Sequence, residues 1–207
     1  MPGRSLLGFG LAAALAACGG PDEPAAKFNA TDITGAEWAR GFDLPDHAGK
    51  RRTLADFRGK AVLAFFGYTS CPDACPTALA EMAQVVDRLG PDGDRVQGLF
   101  ITVDPERDTP ERLARYVTAF HPSFLGLRGT PDEVGKTAKE FKVYFRKPDQ
   151  APASHAHHDG GYMVDHTTAI FVFDPQGRVR LYVSQNGRTV DAMVADVRRL
   201  LAASSAG

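Results

Sequence analysis

Residues 61–75 of this 207-residue chain read AVLAFFGYTSCPDAC, and this stretch contains the strongest signals for its fold. The seven apolar residues at 61–67 are typical of a central strand that is covered on both faces. After Cys75, apolar residues recur at helical spacing and predict one buried helix face, formed by Pro76, Leu79, Met82, Ala83, Val86 and Leu89. Both cysteines of the stretch therefore fall where a buried strand passes into a helix.

The rest of the chain alternates between predicted strands and helices. This order predicts an α/β fold with a mixed central sheet flanked by helices. Cysteines at a strand-to-helix junction, followed by a terminal hairpin and helix, resemble the thioredoxin fold, here with an extra N-terminal segment and an extended loop at 147–161. A Rossmann sheet is excluded, because no glycine-rich fingerprint follows the first core strand. The further predicted elements are a strand at 96–103, a helix at 109–120, a strand at 124–127, a helix at 130–141, a hairpin at 169–184 and a helix at 189–200.

Residues 1–17 are predicted to be a signal peptide. Arg4 supplies a positive charge, and residues 6–17 contain none. That run is shorter than the roughly 20 apolar residues that a membrane-spanning helix needs, but it suits the apolar region of a signal peptide. It closes on Leu-Ala-Ala-Cys at 15–18, which resembles the lipobox of bacterial lipoproteins. We expect Cys18 to be lipidated; the alternative is a small buried cysteine.

Residues 18–34 are predicted to be a flexible, lipid-anchored linker, because they are rich in Gly, Pro, Asp and Ala without an apolar period. Residues 35–203 are then long enough for one domain with its own core. The 24 Lys and Arg residues nearly cancel the 25 Asp and Glu residues, so the chain has no electrostatic footprint for nucleic acid. We expect no nucleic-acid partner.

With Cys18 assigned to lipid, one cysteine pair remains, and we expect it to lie outside the reducing cytosol. Cys71 and Cys75 are four residues apart at a predicted helix start, so both sulfurs can point at one small volume. Free backbone N–H groups and the helix dipole favour thiolates there. Thiolates serve nucleophilic exchange and metal ligation equally well, and the spacing alone does not separate the two. A purely structural disulfide is the less favoured interpretation of this pair, because a bridge that closes so small a ring would constrain the unfolded chain little.

Two features favour a metal. Three residues separate the cysteines, rather than the two of Cys-x-x-Cys, which widens the gap that a disulfide or an ion must fill. His166 stands directly before a predicted core strand, on an approach that passes the active-site cysteines in a thioredoxin-like fold. Thioredoxin-type oxidoreductases carry a cis-proline there, but residues 167–174 contain no proline. Two thiolates and one imidazole suit Cu(I) and adapt to Cu(II), although zinc also accepts such a set.

Three blocks resemble the signatures of the Sco/SenC family: GYTSCPDACP at 67–76, TVDPERDTP at 102–110 and DHT at 165–167. Members are membrane-anchored, thioredoxin-like copper proteins that help to build the dinuclear copper centre of cytochrome c oxidase. The resemblance implies a copper-binding domain over 35–203 with Cys71, Cys75 and His166 as ligands. It also implies two partners, a copper donor protein and the copper-binding subunit of the oxidase. Many members have a transmembrane helix, whereas we expect a lipid anchor on the periplasmic face of the cell membrane.

Two functions stay open. The first is a copper metallochaperone that docks on an oxidase subunit and releases its ion by ligand exchange. The second is a thiol–disulfide oxidoreductase whose redox pair, Cys71 and Cys75, reduces the cysteines of the oxidase copper site; both roles can coexist. A peroxiredoxin is disfavoured, because Thr69 stands only two places before Cys71 and residues 64–67 contain no proline.

The remaining polar residues near these motifs receive mainly structural interpretations. We expect Asp73 to cap the first helix. Asp108 is expected to be mostly structural, with either Asp108 or Thr109 as the cap of the second helix. Asp104 is expected near the rim of the site, where it either orients a ligand, meets a partner or simply forms a turn. The loop histidines are expected to be solvated, with an accessory copper or zinc site as the alternative: His155, His157 and His158.

Overall fold

The computed structural model describes residues 27–147, 162–186 and 188–204, and it places a six-stranded mixed sheet at the centre of the protein. The strand order is β1-β10-β9-β4-β5-β6. Strands β4, β5 and β6 are mutually parallel, whereas β9, β10 and β1 continue the sheet in antiparallel pairs. The strands are β1 (Thr31–Asp32), β4 (Ala61–Gly67), β5 (Val96–Thr102), β6 (Leu125–Leu127), β9 (Ile170–Phe173) and β10 (Val179–Val183).

In the described part of the chain, four α-helices flank the sheet, and the predicted α/β class is confirmed. Every residue of β4 and β5 is buried, as the continuous apolar run of β4 predicts for that strand. Helices α1 and α4 pack on each other and contact β4, while α2 packs against β6. The helices are α1 (Ala74–Leu89), α2 (Pro110–Thr118), α3 (Pro131–Glu140) and α4 (Val190–Ala203).

Side chains of β4 alternate between the two faces of the sheet. Phe66 packs edge-to-face against Phe141, at the end of α3, with ring centroids 5.1 Å apart. Phe65 lies on the opposite face with Phe100, at 6.3 Å. The second face also receives Cys75, whose sulfur lies against Gly67. The strand therefore supplies the floor of the region that holds the cysteines.

The domain starts earlier than predicted. Thr31 and Asp32 form β1 and pair with β10, and the backbone N–H groups of Asn29 and Ala30 donate to the buried carboxylate of Asp196 at 2.9 Å. The boundary between linker and domain at residues 34 and 35 is therefore wrong, because residues 29–32 complete the sheet edge and satisfy a buried acid. The predicted signal peptide, Cys18 and most of the linker lie outside the described residues.

Two small antiparallel ribbons lie beside the main sheet. One joins β2 (Leu44–Pro45) to β3 (Arg51–Arg52). The other joins β7 (Phe145–Arg146) to β8 (Asp165–His166), with Phe145 opposite His166. The second ribbon flanks the predicted loop, whose residues 148–161, including His155, His157 and His158, lie outside the described residues. Within the described part of the chain, no helix has the length and apolar character needed to cross a membrane.

Candidate metal centre

Cys71 and Cys75 are presented by the junction between β4 and α1. A turn leads into Cys71, whose N–H donates to the carbonyl of Tyr68 at 3.1 Å. Cys75 lies in the first turn of α1 and is fully buried, whereas Cys71 is half-buried. The N–H of Cys75 donates to the sulfur of Cys71 at 3.4 Å. The Cys71 sulfur thus accepts one of the free N–H groups at the helix start, which in most helices is bonded by the side-chain oxygen of the N-cap residue.

Asp73 was expected to cap α1, and the structure contradicts this. It occupies the N-cap position, but its side chain accepts no helix N–H. Its carboxylate lies 3.5 Å from the hydroxyl of Thr77 instead. The backbone of Asp73, with φ −140° and ψ −65°, lies outside the extended conformation from which an N-cap side chain usually reaches the following amides.

Gly67 at the end of β4 makes room for the buried sulfur. A Cβ atom at this position would lie 2.7 Å from Cys75 Sγ and 2.8 Å from Cε2 of Phe100. Both distances are far shorter than normal van der Waals contact, and the surrounding core is close-packed. The sequence contains a signal for this role of Gly67, because a glycine ends the apolar run directly before the cysteine loop.

Asp108 holds the cysteine loop against β5. Its buried carboxylate accepts the N–H of Thr69 at 3.1 Å, the hydroxyl of Thr69 at 2.5 Å and the hydroxyl of Thr102 at 2.6 Å. The cap of α2 is Thr109, whose hydroxyl accepts the N–H of Arg112 at 3.3 Å. A structural role for Asp108 is confirmed, and of the two expected caps, Asp108 and Thr109, the structure shows Thr109. Thr69 stands two residues before Cys71, so Asp108 fixes the approach to the first sulfur.

His166 reaches the sulfurs from β8. Its Nε2 lies 3.4 Å from Cys75 Sγ, and its Nδ1 lies 3.0 Å from the carbonyl oxygen of Thr167. A carbonyl only accepts, so Nδ1 donates its proton to this oxygen, and in the neutral imidazole Nε2 is the nitrogen that is free to bind an ion beside the sulfurs. The rings of Phe65 and Tyr68 pack edge-to-face on the imidazole, with centroids at 6.0 and 5.8 Å. These contacts hold the ring in the orientation that a ligand needs.

The structure therefore brings together all three residues that the sequence placed at the site. One ligand atom from each of Cys71, Cys75 and His166 lies within 4.8 Å of the others. Such a spread is close to that of donors around one ion, since metal–sulfur and metal–nitrogen bonds are about 2.0–2.3 Å long. Two sulfurs and an imidazole nitrogen form a soft donor set that fits copper.

The pKa values of the two thiols are shifted in opposite directions. A hydrogen bond from the thiol of Cys75, assisted by His166 and by backbone N–H groups, holds the pKa of Cys71 well below its ordinary value despite partial burial. The same interaction with Cys71, together with burial, raises the pKa of Cys75. One proton shared between neighbouring sulfurs produces this division, because two adjacent thiolates repel each other. The half-buried sulfur is therefore the anionic one.

Asp104 is buried rather than exposed at the rim of the site. Its carboxylate pairs with Arg107, accepts the hydroxyl of Tyr162 at 2.8 Å and lies 3.6 Å from Lys147 Nζ. Lys147 and Tyr162 stand on either side of residues 148–161, so Asp104 contacts the described chain both before and after that segment. Asp104 also begins the expected turn, because its carbonyl oxygen accepts the N–H of Arg107 at 3.2 Å and that of Asp108 at 3.0 Å.

Tyr162 and Arg107 also support the wall of the site, and sequence reasoning missed both roles. The guanidinium of Arg107 lies 3.6 Å from the ring centroid of Tyr162 and 5.5 Å from that of Tyr68. Tyr68 in turn donates to Met163 Sδ at 3.4 Å and packs on His166. These contacts join residues that are distant in sequence, and the local pattern around each contains no signal for them.

Residues 30–202 match the profile of the protein family described as SCO1/SenC. The mitochondrial SCO2 homolog of Mus musculus is 43% identical over 164 residues, which cover 78% of this chain and 62% of the mouse protein. The chain thus spans about three-fifths of the length of this relative.

Solved structures agree with this match. ScoI of Bradyrhizobium japonicum, whose structure has copper bound, is 41% identical with a TM-score of 0.67 over 77% of this chain and 97% of that one. Apo Sco1 of Thermus thermophilus is 40% identical, with a TM-score of 0.71; the match covers 84% of this chain and 97% of the Thermus protein. These similarities confirm the predicted thioredoxin-like fold. The matched profile covers most of the domain, the identities are high and the three motifs lie at one site, so the chain belongs to the SCO1/SenC family.

Proposed function

We propose that this protein binds a copper ion through Cys71, Cys75 and His166 and delivers it to the copper centre of cytochrome c oxidase during assembly. The observation that carries the proposal is the convergence of two sulfurs and an imidazole nitrogen within 4.8 Å. Copper is here the cargo of the protein. The copper bound in Bradyrhizobium ScoI supports the same cargo for this chain.

The arrangement suits transfer as well as binding. Three protein donors leave a coordination position for a ligand of the recipient. Cys71 is half-buried, so an incoming thiol or imidazole has access to this sulfur, while Cys75 and the aromatic rings around His166 close the other sides. A recipient therefore approaches on the Cys71 side and replaces the donors one at a time.

We place the protein at the membrane surface, facing the periplasm, with lipid on Cys18. The Leu-Ala-Ala-Cys sequence at 15–18 and the charge-free run before it support this placement. A copper donor protein and the copper-binding subunit of the oxidase are the proposed partners. Mass spectrometry of the membrane fraction tests the anchor: an unprocessed, unlipidated N-terminus on the membrane-bound protein would be inconsistent with it.

The opposite pKa shifts of Cys71 and Cys75 favour a second activity, the reduction of a disulfide. The Cys71 thiolate can attack a disulfide of the oxidase subunit, forming a mixed disulfide and releasing one substrate thiolate. Cys75 then loses its proton and attacks Cys71, which releases the second substrate thiolate and leaves a Cys71–Cys75 disulfide. The substrate gains the two electrons that the pair loses. This reaction needs no histidine ligand.

His166→Ala separates the two activities. We expect copper affinity to fall by more than about 100-fold, because even partners of a ligand account for about 10–100-fold, and the sulfur-to-Cu(II) absorption band to be lost or shifted. Reaction of Cys71 with a small aromatic disulfide should stay within a few-fold. His121→Ala is the matched control, since His121 lies 3.9 Å from Asp87 at the far end of α1. Unchanged copper affinity in His166→Ala would overturn the ligand assignment.

A further inference from the structure

Arg188 connects the two elements that carry the candidate ligands. It lies between β10 and α4, and its side chain is only 2% exposed. The guanidinium forms an ion pair with Glu81 of α1, and its Nη1 donates to the carbonyl of Thr168 at 3.2 Å. One buried cation therefore contacts both the helix that begins at the cysteines and the segment that follows β8.

Both contacts lie close to the site in sequence. Glu81 lies on the same helix as Cys75, within two turns of it. Thr168 follows Thr167, whose carbonyl accepts the Nδ1 proton of His166. The position of the Thr168 carbonyl thus helps to determine where the neighbouring Thr167 carbonyl, and with it the imidazole, lies.

We propose that Arg188, held by Glu81, is a positioning residue that keeps Nε2 of His166 directed at the sulfurs of Cys71 and Cys75. The proposal rests on the proposed copper site for its consequence, but the positioning itself is a property of the metal-free protein. Arg188 touches none of the three ligand atoms in the contacts described, and it acts through Thr168 and Thr167.

The chemistry of the guanidinium explains why arginine is used here. Its planar fork can contact a carboxylate and a carbonyl at once, whereas an ammonium is a compact point charge on a flexible stem. A buried cation also requires its counter-charge, so Glu81 keeps Arg188 inside and Arg188 keeps Thr168 in place. Lysine at this position would preserve the charge and lose the simultaneous contacts.

A purely structural role predicts a different result from a positioning role. If the pair only joined α1 to the β10–α4 connection, its loss would lower the melting temperature and leave the imidazole unchanged. The positioning role predicts that the Nδ1–H tautomer of His166 loses its dominance in the folded, metal-free protein. Nitrogen-15 NMR of the imidazole reports this tautomer directly and without copper.

The experiment compares Arg188→Gln, Arg188→Lys and Glu81→Gln with Arg52→Gln. Arg52 pairs with the buried Asp46 in the β2–β3 ribbon, so its loss removes a comparable ion pair away from the site. We expect Arg188→Gln and Glu81→Gln to produce mixed His166 tautomers and to lower Cu(II) affinity by about 10–100-fold, as for other partners of metal ligands. For Arg188→Lys, both the tautomer ratio and the Cu(II) affinity should lie between those of these variants and the wild type. Arg52→Gln should change only the melting temperature.

The results separate the two levels of the proposal. If Arg188→Gln does not fold, Arg188→Lys and Glu81→Gln carry the test. A dominant Nδ1–H tautomer in all folded variants would overturn the positioning role. If the wild type binds no copper but the tautomer still shifts in Arg188→Gln, the positioning role stands and the proposed function fails.

Discussion

The sulfur side and the histidine side of the site are built differently. The cysteines follow β4, which is hydrogen-bonded to β5 on one edge and to β9 on the other and is buried along its whole length. His166 lies on β8, a two-residue strand of a two-stranded ribbon outside the main sheet. Thus the sulfurs are fixed by the core, and the imidazole is fixed by a few specific contacts.

This difference suggests where the site can open. Local opening requires less free energy where backbone hydrogen bonds are few and exposed than in a central strand. The β7–β8 ribbon has only two residue pairs, and Asp165 beside His166 is exposed. We therefore expect the histidine side to move first when a bound ion is exchanged, with the sulfurs remaining in place. Three measurements test this difference between the sulfur side and the histidine side.

The largest effect is expected from Gly67→Ala on the sulfur side. The new methyl group would lie 2.7 Å from Cys75 Sγ and 2.8 Å from a ring carbon of Phe100, so the strand and the sulfur cannot both keep their positions. Overpacking of this kind costs about 1–3 kcal/mol of unfolding free energy. We expect that loss in urea denaturation, together with a fall in copper affinity of at least about tenfold, equivalent to about 1.4 kcal/mol.

Gly135→Ala is the matched control, because a Cβ at Gly135 in α3 meets no atom within 4 Å. Replacing an interior helix glycine by alanine should stabilise the protein by about 0.5–1 kcal/mol. If Gly67→Ala were as stable and bound copper as tightly as Gly135→Ala, the sulfur side would not be the rigid one.

A second measurement uses the pH dependence of thiol alkylation. The pKa of Cys71 lies well below its ordinary value, so this sulfur is already a thiolate at neutral and mildly acidic pH. In the reduced protein, the rate with iodoacetamide should therefore change less than about twofold between pH 6 and 8. A thiol with the ordinary pKa of about 8.5 gains about tenfold per pH unit in this range.

The protein unfolded in urea serves as the reference, since both cysteines then react with ordinary pH dependence. In His166→Ala, one of the interactions that lower the pKa of Cys71 is lost, so the pKa rises and the profile should steepen at its acidic end. A native rate that climbs tenfold per pH unit would show that the sulfur side carries no thiolate.

The smallest effect is expected from Thr167→Val on the histidine side. The hydroxyl of Thr167 accepts the N–H of Tyr144 at 3.1 Å, and this bond helps to hold the ribbon. Its loss should cost about 0.5–1.5 kcal/mol and speed amide hydrogen exchange at Tyr144. Thr118→Val removes a hydroxyl that donates to a helix carbonyl in α2 and serves as the control. Equal exchange at Tyr144 in both variants would argue against a weakly held histidine side.

Much of the fold could be predicted from local patterns. The apolar run of β4, the helical spacing after Cys75 and the hairpin of β9 and β10 each lie within a short window of sequence. Their predicted positions agree closely with the structure, although the predicted second helix extends two residues beyond Thr118. Strand β1 was missed, because two exposed residues in a segment rich in Gly, Pro and Ala show no apolar period.

The candidate site could be predicted only in part. The cysteine pair follows from spacing, and its partner histidine was assigned through the family motifs. The roles of Asp108, Asp104 and Arg188 could not be read from the chain, because each contacts residues far away in sequence. Asp73 shows the converse, since a favourable residue at a helix start does not cap when the backbone turns its side chain away.

The core strands, the helices and the two sulfurs at one helix start follow from the order of amino acids, because they depend on periodicity and on neighbours within a few residues. The orientation of His166, 91 residues from Cys75, does not follow from that order: its Nε2 lies 3.4 Å from the Cys75 sulfur only in the folded chain. This orientation depends on a carbonyl, two aromatic rings and a separate ribbon, which are brought together by packing.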